Sequence, residues 1–324
     1  MKMKGFLKIL LIVGIALSLL GGTIFTVAMS LNGWDFGVLA SHSVSVKTDE
    51  IESAQDLEKI TEIKIDASTA EIKILYHDEQ KITVVGYDLK TNKGEITDTI
   101  EVKVNENRLE IIEKQKKIIN FETGTKGKRE IIVKIPSDKV VSLNATLSTG
   151  KVFIGEENKD YQFQSIKIFL TTGDVKLNGN INCKRFTART TTGDLYFNGD
   201  LTCEAIAITS STGDAFVNGK INTGTLEKEC STGDFIINNS IIALKIEIEQ
   251  GTGKITCNAF ITADEMDIET STGDIYLKLL GGDEDYSYSY EISTGKSNIP
   301  SFVKGSKRIE VESATGDITV IFEE

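Results

Sequence analysis

Histidine and cysteine are scarce in this chain, and each shortage closes off a class of function. The two histidines are His42 and His77, so almost no imidazole is available for acid–base work or for metal ligation. The four cysteines, Cys183, Cys203, Cys230 and Cys257, lack the paired spacing of a zinc site. Basic residues are outnumbered, with Lys and Arg at 36 against 48 Asp and Glu and a net charge of -12. Such a chain repels phosphate instead of releasing counterions, which excludes nucleic-acid binding by charge; the acidity reads as a solubility device. There is no phosphate loop and no histidine-centred triad. The acidic residues follow the repeat described below instead of breaking it. No enzyme and no cofactor is expected, with a wall-polysaccharide-active enzyme using paired carboxylates as the remote alternative.

What is present first is an apolar run from Ile9 to Met29, preceded by Lys2, Lys4 and Lys8 and free of charge inside. With Phe6 and Leu7 it has about the 20 residues needed to span a bilayer. The lysine flank orients it with the N-terminus in the cytoplasm. A cleaved signal peptide is the competing reading, although its apolar region is normally shorter. Either way the rest of the chain is expected outside the cytoplasm, at the cell membrane. No cysteine follows the run, which excludes a lipoprotein anchor. Residues 1–29 are thus expected to be a cytoplasmic tip and transmembrane anchor, and 30–59 a linker. Trp34 and Phe36 fall near the membrane exit, and Ala54–Lys59 is a short helical turn or nothing.

From Ile60 the pattern alternates with period two, as at Ile63, Ile65 and Ala67, then Ile72 and Ile74, then Ile131, Val133 and Ile135. These are half-buried strands. Their irregular spacing predicts a β capping portion over 60–143, since a bare first coil would expose edge and core.

Over 144–324 a short motif recurs. Thr172-Gly-Asp, Thr192-Gly-Asp, Thr212-Gly-Asp, Thr232-Gly-Asp, Thr252-Gly-Lys and Thr272-Gly-Asp follow at a spacing of twenty residues, with Thr149, Thr294 and Thr315 flanking at longer intervals. Each glycine is followed by two alternating apolar sites, such as Leu195 and Phe197; a turn comes next, Asn-Gly at 178, 198 and 218 and the weaker Asn238-Asn239 and Asn258-Ala259, then a third apolar site such as Leu201 and a last strand such as Ile206 and Ile208. The expected fold is all-β: a single-stranded parallel β-helix or β-solenoid, right-handed by base rate, with coils of about twenty residues in three short segments. A leucine-rich repeat lacks support, because neither its leucine/asparagine signature nor a helical side is present.

In such a stack, equivalent residues form columns about 4.8 Å apart. Gly173, Gly193, Gly213, Gly233, Gly253 and Gly273 are read as corner residues, where a missing Cβ permits an unusual torsion and close stacking. Asn178, Asn198 and Asn218 are read as left-handed turn residues that, if buried, hydrogen-bond along the axis. Asp174, Asp194, Asp214 and Asp234 stack at one corner. The expectation is that each carboxylate accepts backbone N–H groups of its own turn; the competing reading is a weak site for a hard divalent cation. Lys254 interrupts that column. Cys183 and Cys203 share one position in successive coils, near enough for a disulfide in an oxidising space, though neighbours on parallel strands are a strained geometry for one. Free buried thiols are the expectation. Tyr286, Tyr288 and Tyr290 share one strand face, filling the end of the core or forming an exposed binding strip. Lys228 falls at an inward register, where a local bulge is expected to turn it out.

The Ser211-Thr212-Gly213-Asp214 and Ser271-Thr272-Gly273-Asp274 steps, with their apolar alternation and the Val133-Lys-Ile-Pro-Ser-Asp lead-in, resemble the adhesin-like bacterial β-strand-repeat family DUF4097. The resemblance covers roughly residues 60–324. With the apolar N-terminus it extends to membrane-anchored, LiaG-like proteins of Gram-positive bacteria. It implies a binding or scaffold module at the cell surface, or an accessory of a cell-envelope stress response, with an envelope protein or wall polymer as partner. It brings no catalytic residues.

Overall fold

The computed structural model describes residues 26–27, 30, 42–90, 94–115, 125–126, 128–299 and 305–323. Apart from Thr26 and Val27, the expected anchor lies outside the described residues, as do Trp34 and Phe36. Among the described residues no helix is long and apolar enough to cross a membrane. The six-residue helix Ala54–Lys59 does form, with the Ser53 hydroxyl accepting the Asp56 N–H at its N-terminus.

Two compact units divide the chain. One comprises Met1–Val46, Tyr87–Thr99 and Lys114–Lys128. Within it, Asp88 and Leu89 pair antiparallel with Thr99 and Asp98, and the register shifts between Leu89 and Lys90. His42 and Ser43 pair parallel with Thr125 and Lys126.

The other unit, Lys47–Gly86, Ile100–Glu113 and Arg129–Glu324, is a β-solenoid built on parallel strands, with Thr83, Val84 and Val85 pairing antiparallel to Lys134, Val133 and Ile132. Each coil of its regular part contains one long strand, such as Leu201–Thr212, and one three-residue strand, such as Ala215–Val217. Strands stack in register twenty residues apart: Ile206 stands between Phe186 and Leu226, and Leu195 between Val175 and Ala215.

The coil has three faces but only two turns with turn residues. In Leu201–Thr212 the buried positions are Leu201, Cys203, Ile206, Ile208 and Ser210, so alternation slips by one where Glu204 and Ala205 both point outward. That slip makes the third corner inside a continuous strand, which is why the third apolar site and the last strand merge into one element. The core is a set of columns in which small and large residues alternate along the stack: Leu195, Ala215 and Phe235 in one, Phe197, Val217 and Ile237 in the next. Phe186 meets Phe197 edge-on at 5.7 Å. Each fully buried Leu, Ile or Phe contributes roughly 1.5–3 kcal/mol, so the interior columns dominate the stability.

At both ends the order of layers departs from the order of the chain. Lys307–Thr315 is inserted between Glu265–Thr272 on one side and Tyr286–Thr294 on the other. Gly273 N–H donates to Thr315 O at 2.8 Å and Gly316 N–H to Thr294 O at 3.0 Å. At the other end Glu62–His77 pairs with Val141–Ile154 on one side and with Arg108–Gln115 and Glu130–Pro136 on the other. There Thr69, Ala70 and Glu71 stand opposite Thr149, Gly150 and Lys151, a coil corner without the glycine that marks the others.

Candidate interaction surfaces

The glycine corner is built by close approach of backbones. Gly213 has φ of +137°, and an added Cβ would lie 2.1 Å from the carbonyl oxygen of Gly193. Its N–H donates to Thr232 O at 3.0 Å, linking it to the following coil.

The aspartates beside these glycines accept backbone N–H groups of the following coil, and Asp194 Oδ2 also accepts the Tyr196 hydroxyl of its own coil at 3.0 Å. Asp214 N–H donates to Asp194 Oδ1 at 2.9 Å, Asp234 N–H to Asp214 Oδ1 at 2.7 Å, and Lys254 N–H to Asp234 Oδ1 at 2.8 Å. Cations relieve the column at two points, Lys151 on Asp174 at 2.7 Å and Lys254 on Asp274 at 3.0 Å. Burial works to raise the pKa of Asp174, but the Lys151 ammonium and the Asp194 N–H outweigh it and hold the carboxyl below its usual value. The Asp317 N–H, then Lys254, hold Asp274 low as well. Among the described residues no group of three or more His, Cys, Asp or Glu side chains is arranged to hold a metal ion.

The asparagines form a hydrogen-bonded ladder: Asn198 to Asn178, Asn218 to Asn198, Asn238 to Asn218 and Asn258 to Asn238, each Nδ2 to Oδ1 at 2.9 Å. Two features differ from the sequence-based expectation. The ladder runs along an exposed corner, and neither Asn178, Asn198, Asn218 nor the following glycines adopt a left-handed backbone. Glycine is needed there for proximity: a Cβ on Gly219 would lie 2.1 Å from Gly199 O.

The tyrosines do not form an exposed strip. Tyr286 and Tyr288 are buried against Phe322, and the Tyr286 hydroxyl donates to Leu280 O at 2.6 Å. Only Tyr290 is exposed, at 38%. It lies on the same strand as the other two, opposite Val311. Nor is there a bulge at Lys228, which keeps register with Ile208 and Ile248 and is 1% exposed. Its ammonium donates to Gln250 Oε1 at 3.2 Å and lies 5.0 Å from the Phe235 ring centre. Burial pulls its pKa down. All four cysteines are buried and free.

Two surfaces escaped the sequence reading. On one face Glu227, Glu247, Asp267 and Glu310 form a column, with Glu229, Glu249, Glu269 and Glu312 beside it. Burial, then Glu310 and Glu247, push the Asp267 carboxyl up; burial, then Glu291 and Glu269, do the same to Glu312. A groove of about 400 Å³ lies along the second column, between Glu229, Glu249 and Glu269 and the hydroxyls of Ser211, Ser231 and Ser271. The early coils of the same face carry Lys167, Arg185 and Arg189 instead. On another face Tyr196 and Phe216 stack at 5.0 Å, nearly parallel, with the Lys176 ammonium 4.5 Å from the Tyr196 ring centre. The signal for both was present as a residue type repeated every twenty positions, outside the glycine motif.

The profile of one family, described as Toastrack DUF4097, matches residues 60–321. The chain belongs to that family. A non-enzymatic protein is consistent with this membership. No curated protein matches the toastrack chain. Among solved structures, a protein of Parabacteroides distasonis provisionally named as lipid-binding is 16% identical, with 86% of this chain and 97% of that one covered and a TM-score of 0.47. A provisionally named adhesin of Bacteroides fragilis is 17% identical over 86% and 97%, with a TM-score of 0.40. A provisionally named cell adhesion protein of Clostridium sporogenes is 13% identical over 86% and 100%, with a TM-score of 0.28.

Proposed function

We propose that this toastrack chain is a non-enzymatic binding or scaffold module of the cell envelope. The observation that carries the reading is the in-register stack itself. A parallel ladder holds each outward side chain about 4.8 Å from its counterpart, so a coil type repeated along the axis becomes a fixed column of one chemistry. The paired carboxylate columns, Glu227 to Glu310 and Glu229 to Glu312, are the most developed of these. Their ligand is an envelope protein or wall polymer bearing cationic groups. The apolar run after Lys2, Lys4 and Lys8 serves as a single-pass anchor with a cytoplasmic N-terminus. The solenoid, right-handed by the general rule for parallel crossovers, stands outside. The alternative reading is an accessory or regulatory component of a cell-envelope stress response, the role that the resemblance to LiaG-like proteins implies.

Crosslinking in intact cells tests the binding role. The wild-type chain is expected to capture an envelope protein or wall polymer, and Glu229→Gln/Glu249→Gln/Glu269→Gln to lose it. Capture unchanged in the triple variant sinks the acidic face as the binding surface. Protease added to wall-stripped cells is expected to remove the solenoid, and protection of the solenoid would reverse the topology.

A further inference from the structure

Cys183 and Cys203 stand opposite each other on in-register strands of neighbouring coils. Their Sγ atoms are 2.8 Å apart, closer than two unbonded sulfurs pack in an ordinary core contact. Neighbouring coils bring Cα atoms to about 4.8 Å, inside the range of about 4.4–6.8 Å that disulfides bridge. Packing does not call for cysteine here, because the next residues in the column are Thr223 and Ala243. The other two thiols form no comparable pair. Cys230 donates toward Gly213 O at 3.8 Å and Cys257 toward Lys278 O at 3.9 Å.

We propose that Cys183 and Cys203 are an oxidisable dithiol whose disulfide clamps two consecutive coils. The reaction is exchange with a small disulfide such as oxidised glutathione. One cysteine thiolate attacks a sulfur of that disulfide, forming a mixed disulfide and releasing one glutathione thiolate. The second cysteine thiolate then attacks the protein-side sulfur and releases the other. The protein loses two protons and two electrons, and both leave on the two glutathione thiols. The contact with Cys183, then burial, push the Cys203 thiol up, so the folded stack reacts slowly and the bond closes as the coils come together. A location outside the cytoplasm supplies an oxidising space, but the pairing rests on geometry alone and stands apart from the proposed binding role.

The test uses the full chain, unfolded and then refolded in mixed reduced and oxidised glutathione. Remaining thiols are blocked with N-ethylmaleimide under denaturing conditions before peptide mapping. Two of the four thiols are expected to be labelled, with one peptide joining Cys183 to Cys203. The oxidised chain is expected to unfold at a higher denaturant concentration than the reduced one. In Cys203→Ala, whose methyl matches Ala243 in the same column, oxidant is expected to leave the midpoint unmoved. Labelling of all four thiols, or a link through Cys230 or Cys257, overturns the proposal. A Cys183–Cys203 link with no rise in midpoint overturns the clamp. Should the variant fail to fold, the wild-type peptide map still decides.

Discussion

At Gly213 the carbonyl of Gly193 occupies the place a side chain would need, 2.1 Å from an added Cβ, and the backbone is left-handed there at φ +137°. Gly213→Val meets both strain and an immovable neighbour, and is expected to cost at least about 3 kcal/mol. Asp214→Asn keeps an oxygen for the Asp234 N–H, now 2.7 Å from Oδ1, and its effect is expected to stay within about 1 kcal/mol of zero. Urea unfolding of the two variants beside wild type measures the contrast, and equal midpoints for wild type and Gly213→Val would refute the corner geometry. At Lys228 the problem is a buried amine held by one amide. Gln250→Leu strands that amine and is expected to cost about 1–3 kcal/mol. Lys228→Ile with Gln250→Leu makes the site apolar and is expected to return to wild-type stability or exceed it. The pKa of Lys228 is lowered on folding. Between the lowered value and the ordinary lysine range the unfolded chain therefore binds more protons, and stability rises with pH. Accordingly, the deficit of Gln250→Leu is expected to shrink from neutral to alkaline pH; a deficit that grows would mean the amine is not the buried liability.

The chain's last strands are not the stack's last layer. Because Lys307–Thr315 lies beneath Tyr286–Thr294, ending the chain after residue 305 removes the layer with which that strand pairs among the described residues. Hydrogen exchange over 286–294 is then expected to become fast, although those residues remain in the chain. If coils stacked in chain order, 286–294 would lie on Glu265–Thr272 and stay protected, so retained protection refutes the inserted layer. This element also shows what was legible in advance. The Thr-Gly steps at 172, 192, 212, 232, 252 and 272 mark coil length and corner, because only glycine tolerates that backbone contact. They carry no mark of which coil lies on which, and the Thr294 and Thr315 steps read alike whether stacked in order or exchanged. The coil at Thr69 was missed for the opposite reason: Ala70 occupies the glycine position, and its negative φ removes the one feature the motif reports. The third corner was missed because a phase slip at Glu204 and Ala205 needs no turn residue. Of the surfaces, the aspartate and asparagine columns were visible as columns, and the asparagine bonds along the axis with them, but the aspartates' partners depend on register between coils, which a repeat length does not specify.

Across the whole molecule a net charge of -12 is distributed unevenly, with one face carrying two adjoining columns of carboxylates over four coils. Stacking in register forces like charges to about 4.8 Å, where repulsion is partly screened by water but not abolished. Two sets of carboxyls respond to pH in opposite senses. Asp267 and Glu312 are raised by burial and then by neighbouring carboxylates, so the folded chain binds their protons more tightly than the unfolded chain. Their contribution is fully present at low pH and lost as pH rises through the raised values. Asp174 and Asp274 are lowered by N–H groups and lysines, so their contribution is present at neutral pH and lost on acidification. Protons reach the raised pair first. The melting temperature is therefore expected to rise as pH falls from neutrality toward the carboxylate range, and to drop on further acidification, where the second set titrates. Glu249→Gln/Glu269→Gln removes two charges from the column that contains Glu312 and should flatten the rise. Salt distinguishes repulsion from burial as its source. Raising ionic strength to about 0.15 M shortens the screening length to about 8 Å, which should lift the wild-type melting temperature at pH 7 more than that of the double variant. A melting temperature that only falls from neutrality, or equal salt responses in the two proteins, would show that the acidic face is already neutralised within its own stack and exerts no strain on the fold.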